Sequence, residues 1–378
     1  MTKLGCQKAA FTLPDGFHYL NCAYMSPLTR RVQEAGIAGI RRKGAPAEIT
    51  ADDFFDDVDE ARRLFAALVH VSDAERIAII PSASYALSTV ARNTPLRPGQ
   101  NVVTVRDQFP SNTHPWRRAC REAGAEFRIV GPPSDGSDRT PAWNEALLEA
   151  IDADTAVVTL GQVHWVDGTP FDLMRIGERA REVEAAFVVD GTQSVGAVPF
   201  DVEALRPDAV VCAAYKWLMG PYSIGLAYFG ARYDDGVPLE ENWMGREGSR
   251  DFAGLVDQGD EYRPGAARFD VGESANFILV PMLIAALEQV LEWGVERISE
   301  YCRELCEPGF PGAGHLFGLR LPADVDPADV RSELHRRNVF VSVRGRAIRV
   351  SPHLYNDESD MEALADALRE CGVRAELT

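Results

Sequence analysis

AFVVDGTQSVGAVPFDVEALRPDAVVCAAYKW, residues 186–217, holds two short apolar runs that each close on a polar residue. The first, 186–190, ends in Asp190; the second, 209–214, leads into Tyr215 and Lys216. Neither run alternates apolar with polar, the pattern of strands covered on both faces. Further runs of this kind stand at 77–81, 101–105, 126–130, 156–160 and 224–229, seven strands in all. Helical patterns fill most intervals, at 85–92, 115–123, 144–151 and 173–184. Such alternation predicts an α/β unit built on a mostly parallel sheet with helices on both faces. Ligands of such sheets bind beyond the carboxyl ends of the strands, so the residues just after each run are the functional candidates.

From about residue 276 the texture changes. A long helical pattern (277–307) passes a Gly/Pro break, PGFPGAGH at 308–315, into a strand at 316–321 and a helix at 328–337. Strands at 339–343 and 347–350 and a last helix at 358–370 follow. The expected organisation is an N-terminal arm (1–20), a large domain (21–285) and a smaller α+β C-terminal domain (286–378). The length, 378 residues, suits two or three units. The acidic run DDFFDD at 52–57 reads as a solvated loop or helix start.

Hydrophobic residues at 46% and charged residues at 25% exclude the disordered and fibrous classes. A net charge of −18 argues against nucleic acid or an anionic membrane as partner. Any anionic ligand must be held by a local cluster. The seven cysteines are an odd number without a CxxC pair, which reads as reduced thiols in a cytoplasmic protein. The first residues carry no signal-peptide pattern, and the most apolar stretch, 277–293, is broken by Pro281, Glu288 and Glu292, so no membrane association is expected. No GxGxxG follows the first strand, and neither a GxxxxGK[ST] loop, an HExxH pair nor a GxSxG elbow is present. Nucleotide, metal and serine-hydrolase uses of the sheet are thereby disfavoured, and no metal is expected.

Only four of the 39 basic residues are lysines: Lys3, Lys8, Lys43 and Lys216. Arginine holds a charge but does not give up its proton to become an amine nucleophile, so a lone lysine at a strand end calls for a reason. Taken singly, Asp190-Gly191 is an ordinary turn and Lys216 a loop lysine. Taken together, they put a carboxylate and an amine at the ends of two successive strands. Pyridoxal phosphate needs that pair: a lysine for its aldehyde, and a carboxylate to keep its ring nitrogen protonated as an electron sink.

The stretch 187–225 resembles the core of the class V aminotransferase family of fold type I pyridoxal-phosphate enzymes, a group with cysteine desulfurases, kynureninases and isopenicillin N epimerase-like proteins. The similarity extends from Tyr19-Leu20-Asn21 to the segment Arg349-Val350-Ser351-Pro352-His353-Leu354-Tyr355-Asn356. The resemblance implies that Lys216 forms the Schiff base, Asp190 pairs with the pyridinium nitrogen and Gln193 lies near the phenolic oxygen. It assigns the phosphate cradle to Ala83 and Ser84 in Pro81-Ser82-Ala83-Ser84, where a strand turns into a helix whose first amides favour anions. Tyr215 is a further phosphate contact, and Phe109, in Asp107-Gln108-Phe109-Pro110-Ser111, stacks on the ring. His164 and Trp165 are expected on the wall of the substrate pocket, and Arg349 as the clamp for the substrate α-carboxylate. Arg268 to Ser274 corresponds to a segment that reaches a neighbouring subunit's cofactor. A homodimer is therefore implied, with Ser274 as a candidate phosphate contact, although Glu273 stands where many members have threonine.

Desulfurases carry a nucleophilic cysteine shortly before the carboxylate arginine, whereas residues 341–347 here read VSVRGRA. The expected activity is transamination of a small amino acid or amine. A C–S or β-lyase, an epimerase and a kynureninase-like hydrolase share its first steps and stay open. Outside enzymology the alternative is a catalytically silent protein that binds pyridoxal phosphate.

Overall fold

Val, Ile and Ala dominate the strands of the large unit, and those side chains are buried on both faces because helices cover the sheet from either side. A computed structural model describes residues 3–133, 138–310 and 314–373. The strands are β1 (His18–Tyr19), β2 (Ile77–Ile80), β3 (Asn101–Val105), β4 (Glu126–Val130), β5 (Thr155–Gly161), β6 (Ala186–Asp190), β7 (Ala209–Ala213), β8 (Gly225–Phe229), β9 (Phe317–Arg320), β10 (Val339–Phe340), β11 (Ser342–Arg344) and β12 (Ala347–Val350). The helices are α1 (Arg30–Lys43), α2 (Asp56–Leu68), α3 (Ala83–Arg92), α4 (His114–Ala123), α5 (Arg139–Ala150), α6 (Leu173–Glu182), α7 (Val202–Leu205), α8 (Leu279–Trp293), α9 (Val295–Cys306), α10 (Pro327–Arg336) and α11 (Glu358–Glu370).

The seven-stranded sheet runs β2-β8-β7-β6-β5-β3-β4, parallel except for β8, which is antiparallel to both neighbours. β6 and β7 are adjacent, with Asp190 opposite Val211. Asp190 and Lys216, three residues past the end of β7, therefore leave the same edge of the sheet side by side. β9, β12 and β11 form a separate antiparallel sheet with its own core of Leu319, Ile348, Val350, Leu334 and Leu364. β1 joins that unit by pairing with β10, and Phe11 packs edge-on against Tyr355 with ring centroids 5.1 Å apart, so the N-terminal segment lies on the C-terminal unit.

Three features differ from the sequence reading. The stretch 277–307 is two helices, because Gly294 takes φ 77° and breaks the turn between α8 and α9. The strand foreseen at 339–343 divides, β10 pairing with β1 and β11 with β12. Helices α1 and α7 were not foreseen, and of α2 only a helix start at the acidic run was offered. The acidic run opens α2, with Asp56, Asp57 and Asp59 in its first turn, where carboxylates suit the helix dipole. Buried Phe55 anchors that start beneath Trp243. The centre of the Gly/Pro break, residues 311–313, lies outside the described residues. Among those described, no helix is long and apolar enough to cross a membrane.

Candidate active site

At the carboxyl edge of the sheet is a cavity of about 280 Å³. The start of α3 (Ser82, Ala83, Ser84), the loop after β3 (Gln108, Phe109), the ends of β5 and β6 (Gly161, Asp190, Gln193) and the loop after β7 (Tyr215, Lys216) line it. Its position follows from the parallel strands, whose connections all open at this edge.

Lys216 is 6% exposed, and no hydrogen bond of its Nζ falls among the described residues. Nζ lies 5.4 Å from the Phe109 ring centroid and 5.5 Å from that of Tyr215. Burial pulls the amine down from 10.5 to about 8; the negative field of Asp190 resists the fall, while Arg349 and Arg344 add to it. Asp190 is the one carboxylate among the described lining residues. One of its oxygens accepts the Thr192 N–H at 3.1 Å, and burial raises its pKa. The loop beyond Lys216 is strained, with Met219 at φ 57° and Ser223 at φ 66°. Gly225 is required there by strand contact, since a Cβ would sit 2.4 Å from the Cys212 carbonyl oxygen.

Gln193 is fixed on both ends of its amide. Oε1 accepts the Trp217 indole N–H at 2.9 Å, and Nε2 donates to the Ala23 carbonyl at 3.1 Å. Because indole only donates, that contact sets which way the amide faces. Ser82 caps α3 by accepting the Tyr85 N–H at 3.2 Å, and the first helical amides, Ala83 and Ser84, find no acceptor within the helix. They border the cavity, a ready anion seat.

Trp165 lines the cavity and meets Phe109 edge-on at 5.3 Å; its indole N–H donates to the Asp107 carbonyl. His164 is turned the other way. Its Nδ1 lies 3.0 Å from Asp167 Oδ1 and its Nε2 3.1 Å from the Arg106 carbonyl, and the ring packs on Trp143 and Phe171. His164, expected on the pocket wall, is not among the residues that line the cavity; Asp167 three residues on holds its ring. Ser274, buried beside Met244, does not line this chain's cavity.

Arg349 is 1% exposed and adjoins the cavity wall: Nη1 donates to the Trp165 carbonyl at 3.0 Å, and Nη2 lies 3.4 Å from Ser342 Oγ. Its Nε has no partner, and no carboxylate pairs with it among the described residues. Burial, reinforced by Arg344, pulls its pKa down to about 9, still charged at neutral pH. A buried, unpaired guanidinium costs several kcal/mol unless an anion joins it. Asn21 accepts the Ser342 hydroxyl at 2.8 Å, tying the Tyr19-Leu20-Asn21 segment to the surroundings of Arg349. Two residues were missed from the sequence. Gln108 turns a buried, unpartnered Nε2 in a residue that lines the cavity, and Tyr222 packs 4.6 Å from Tyr215 at its rim. Nothing in their local patterns marks either.

The architecture is that of fold type I pyridoxal-phosphate enzymes. The cysteine desulfurase CsdA from Escherichia coli matches with a TM-score of 0.80 at 20% identity, over 96% of this chain and 97% of that one. The cystine C-S lyase C-DES, in complex with its product cysteine persulfide, matches with a TM-score of 0.82 at 17% identity, over 95% and 98%. In sequence, the Aminotransferase class-V profile matches residues 47–309, and the chain belongs to that family, which depends on pyridoxal phosphate. Among curated relatives, an uncharacterized aminotransferase, YcbU of Bacillus subtilis (strain 168), is 28% identical over 323 residues, 82% of either chain. A probable cysteine desulfurase of Methanothermobacter thermautotrophicus is 26% identical over 346 residues, 83% of either.

Proposed function

We propose that this chain is a pyridoxal-phosphate enzyme that transaminates a small amino acid or amine through Lys216. The observation that carries the reading is Lys216 itself: a buried amine with a depressed pKa, without a hydrogen bond among the described residues, beside the cavity's one carboxylate. The lining fits the cofactor. The open amides of Ala83 and Ser84 suit its phosphate, with Tyr215 beside them; Asp190 suits its ring nitrogen; the Gln193 amide suits its phenolic oxygen; and Phe109 suits its ring face. Bound there, the cofactor supplies an aldehyde for an amine and an electron sink for charge at the substrate Cα.

The chain's own residues do the rest. Lys216, with a pKa near the working pH, takes the proton from the substrate Cα and returns one. Asp190, held by Thr192, keeps a proton on the ring nitrogen. Arg349 receives the α-carboxylate, which satisfies both its charge and its orphaned Nε. Trp165 and Phe109 keep water from the reacting atom. Ser274 is the proposed contact to the cofactor of a partner subunit in a homodimer.

Persulfide chemistry of the desulfurase kind has no support in this chain. Residues 341–347 contain no cysteine, and Cys22, Cys302 and Cys306 are buried with thiols pushed up by desolvation. The test is a panel of amino acids incubated with the enzyme and its Lys216→Ala variant, with keto acid, ammonia, sulfide and D-isomer measured separately. Keto acid without free ammonia or sulfide from the enzyme, and none from the folded variant, is the expected result. Full turnover in the variant overturns the reading, and keto acid accompanied by ammonia or sulfide reassigns the reaction to elimination.

A further inference from the structure

The β11–β12 hairpin pairs Ser342 with Arg349 and Arg344 with Ala347. Residues opposed across an antiparallel pair share a face, so Ser342, Arg344 and Arg349 project to one side, the two arginines as diagonal neighbours. That side meets Trp165. The guanidinium carbons of Arg344 and Arg349 lie 5.6 Å and 5.8 Å from its ring centroid, and Trp165 is a wall of the cavity that holds Lys216.

Neither arginine has a carboxylate partner among the described residues. Half-buried Arg344 donates there to its own Val343 carbonyl at 3.0 Å. Nearby acids are already engaged: Asp190 lies beside Lys216, and Asp167, which borders the cleft outside Trp165, holds Arg139 at 2.7 Å, His164 and Thr169. Elsewhere in this chain of net charge −18, Arg31, Arg250 and Arg337 each hold two or more acids. Two like charges on one hairpin face, one of them buried, oppose each other and the fold until anions answer them. One α-carboxylate answers Arg349 alone.

We propose that the substrate is an amino acid whose side chain bears a second anionic group, received by Arg344 while Arg349 takes the α-carboxylate. The inference rests on the reading of Lys216 and Arg349 above and narrows it. Carboxylate, sulfonate and phosphate all present oxygens that match the guanidinium fork. The indole N–H of Trp165 is already engaged by Asp107, so the ring that both arginines approach offers a flat apolar surface to the short stem that joins the two anions. Two guanidinium groups supply donors and no acceptor. A neutral side-chain amide would lose the charge pairing and leave its own N–H groups without a partner, which is how the site discriminates.

The test is calorimetric titration of the yellow holoenzyme with unreactive succinate and with succinamate, equal in length but carrying one charge fewer. Initial rates with aspartate, cysteate and phosphoserine against asparagine then identify the second anion. Succinate is expected to bind at least about tenfold tighter than succinamate, about 1.4 kcal/mol. In R344Q the ratio is expected to fall below about threefold with the yellow colour retained, and in R344K, which keeps the charge without the fork, to lie between. Equal affinity for the two ligands, or a ratio untouched by R344Q, overturns the inference while leaving Lys216 chemistry standing. A preparation that takes up no cofactor overturns the Lys216 reading, and this inference with it.

Discussion

Lys216 is held where its charge is unwelcome, and the thermodynamic sign of that arrangement is measurable. Its folded-state pKa, about 8, lies below the unfolded value of 10.5, so burial of the ammonium opposes folding. Below pH 8 the amine is protonated in both states and the whole penalty applies, on the order of 3 kcal/mol for a shift of this size. As pH rises from about 8 to 10.5 the folded state sheds its proton first and the penalty disappears. The apoenzyme should therefore gain stability from this group over that window in urea melts, and Lys216→Met should be the more stable protein at pH 7 and should lack that part of the gain. A Lys216→Met protein less stable than the parent at pH 7 would contradict the account. The placement of Lys216 beside Asp190 was legible because the chain is so poor in lysine: one amine among arginines, at a strand end and following a strand that closes on aspartate. The orientation of His164 was not legible, because the partner that holds its ring, Asp167, belongs to a loop whose geometry no local pattern encodes.

At the scale of elements, the strands were legible wherever apolar runs were continuous, and α11 was found at its full length. The helix α1 was hidden because its contact with α8 uses Gly36 and Gly39 beside Val32 and Ala35, too small an apolar stripe to stand out, while Ile37 and Ile40 are exposed. A Cβ at Gly39 would lie 2.3 Å from the Phe277 carbonyl oxygen, and one at Gly36 2.7 Å from Met282 Sδ. The first obstacle is backbone and the second the flexible end of a side chain, so the two sites should respond differently. Gly39→Ala is expected to destabilise by about 1–3 kcal/mol through overpacking, despite the better helix propensity of alanine. Gly36→Ala is expected to cost less, since methionine can turn aside. Denaturant unfolding of the two variants measures the difference, and equal stabilities would show that α1 does not pack as closely as described.

Across the whole molecule, the site divides its labour between the two cores. The seven-stranded sheet supplies Lys216, Asp190 and the open start of α3; the C-terminal sheet sets the Arg344 and Arg349 hairpin face against Trp165, a wall of the cavity. The units meet through Trp165, whose carbonyl accepts from Arg349, and through Asp167, whose carbonyl accepts the Gly318 N–H at 3.0 Å. The central claim remains the amine at Lys216. Borohydride reduction of the purified yellow protein, followed by peptide mass mapping, tests it most directly. The expected result is a bleached protein with a pyridoxyl phosphate group left covalently on the peptide containing Lys216. A protein that stays unlabelled after incubation with pyridoxal phosphate, or whose label sits on Lys3, Lys8 or Lys43, would contradict it.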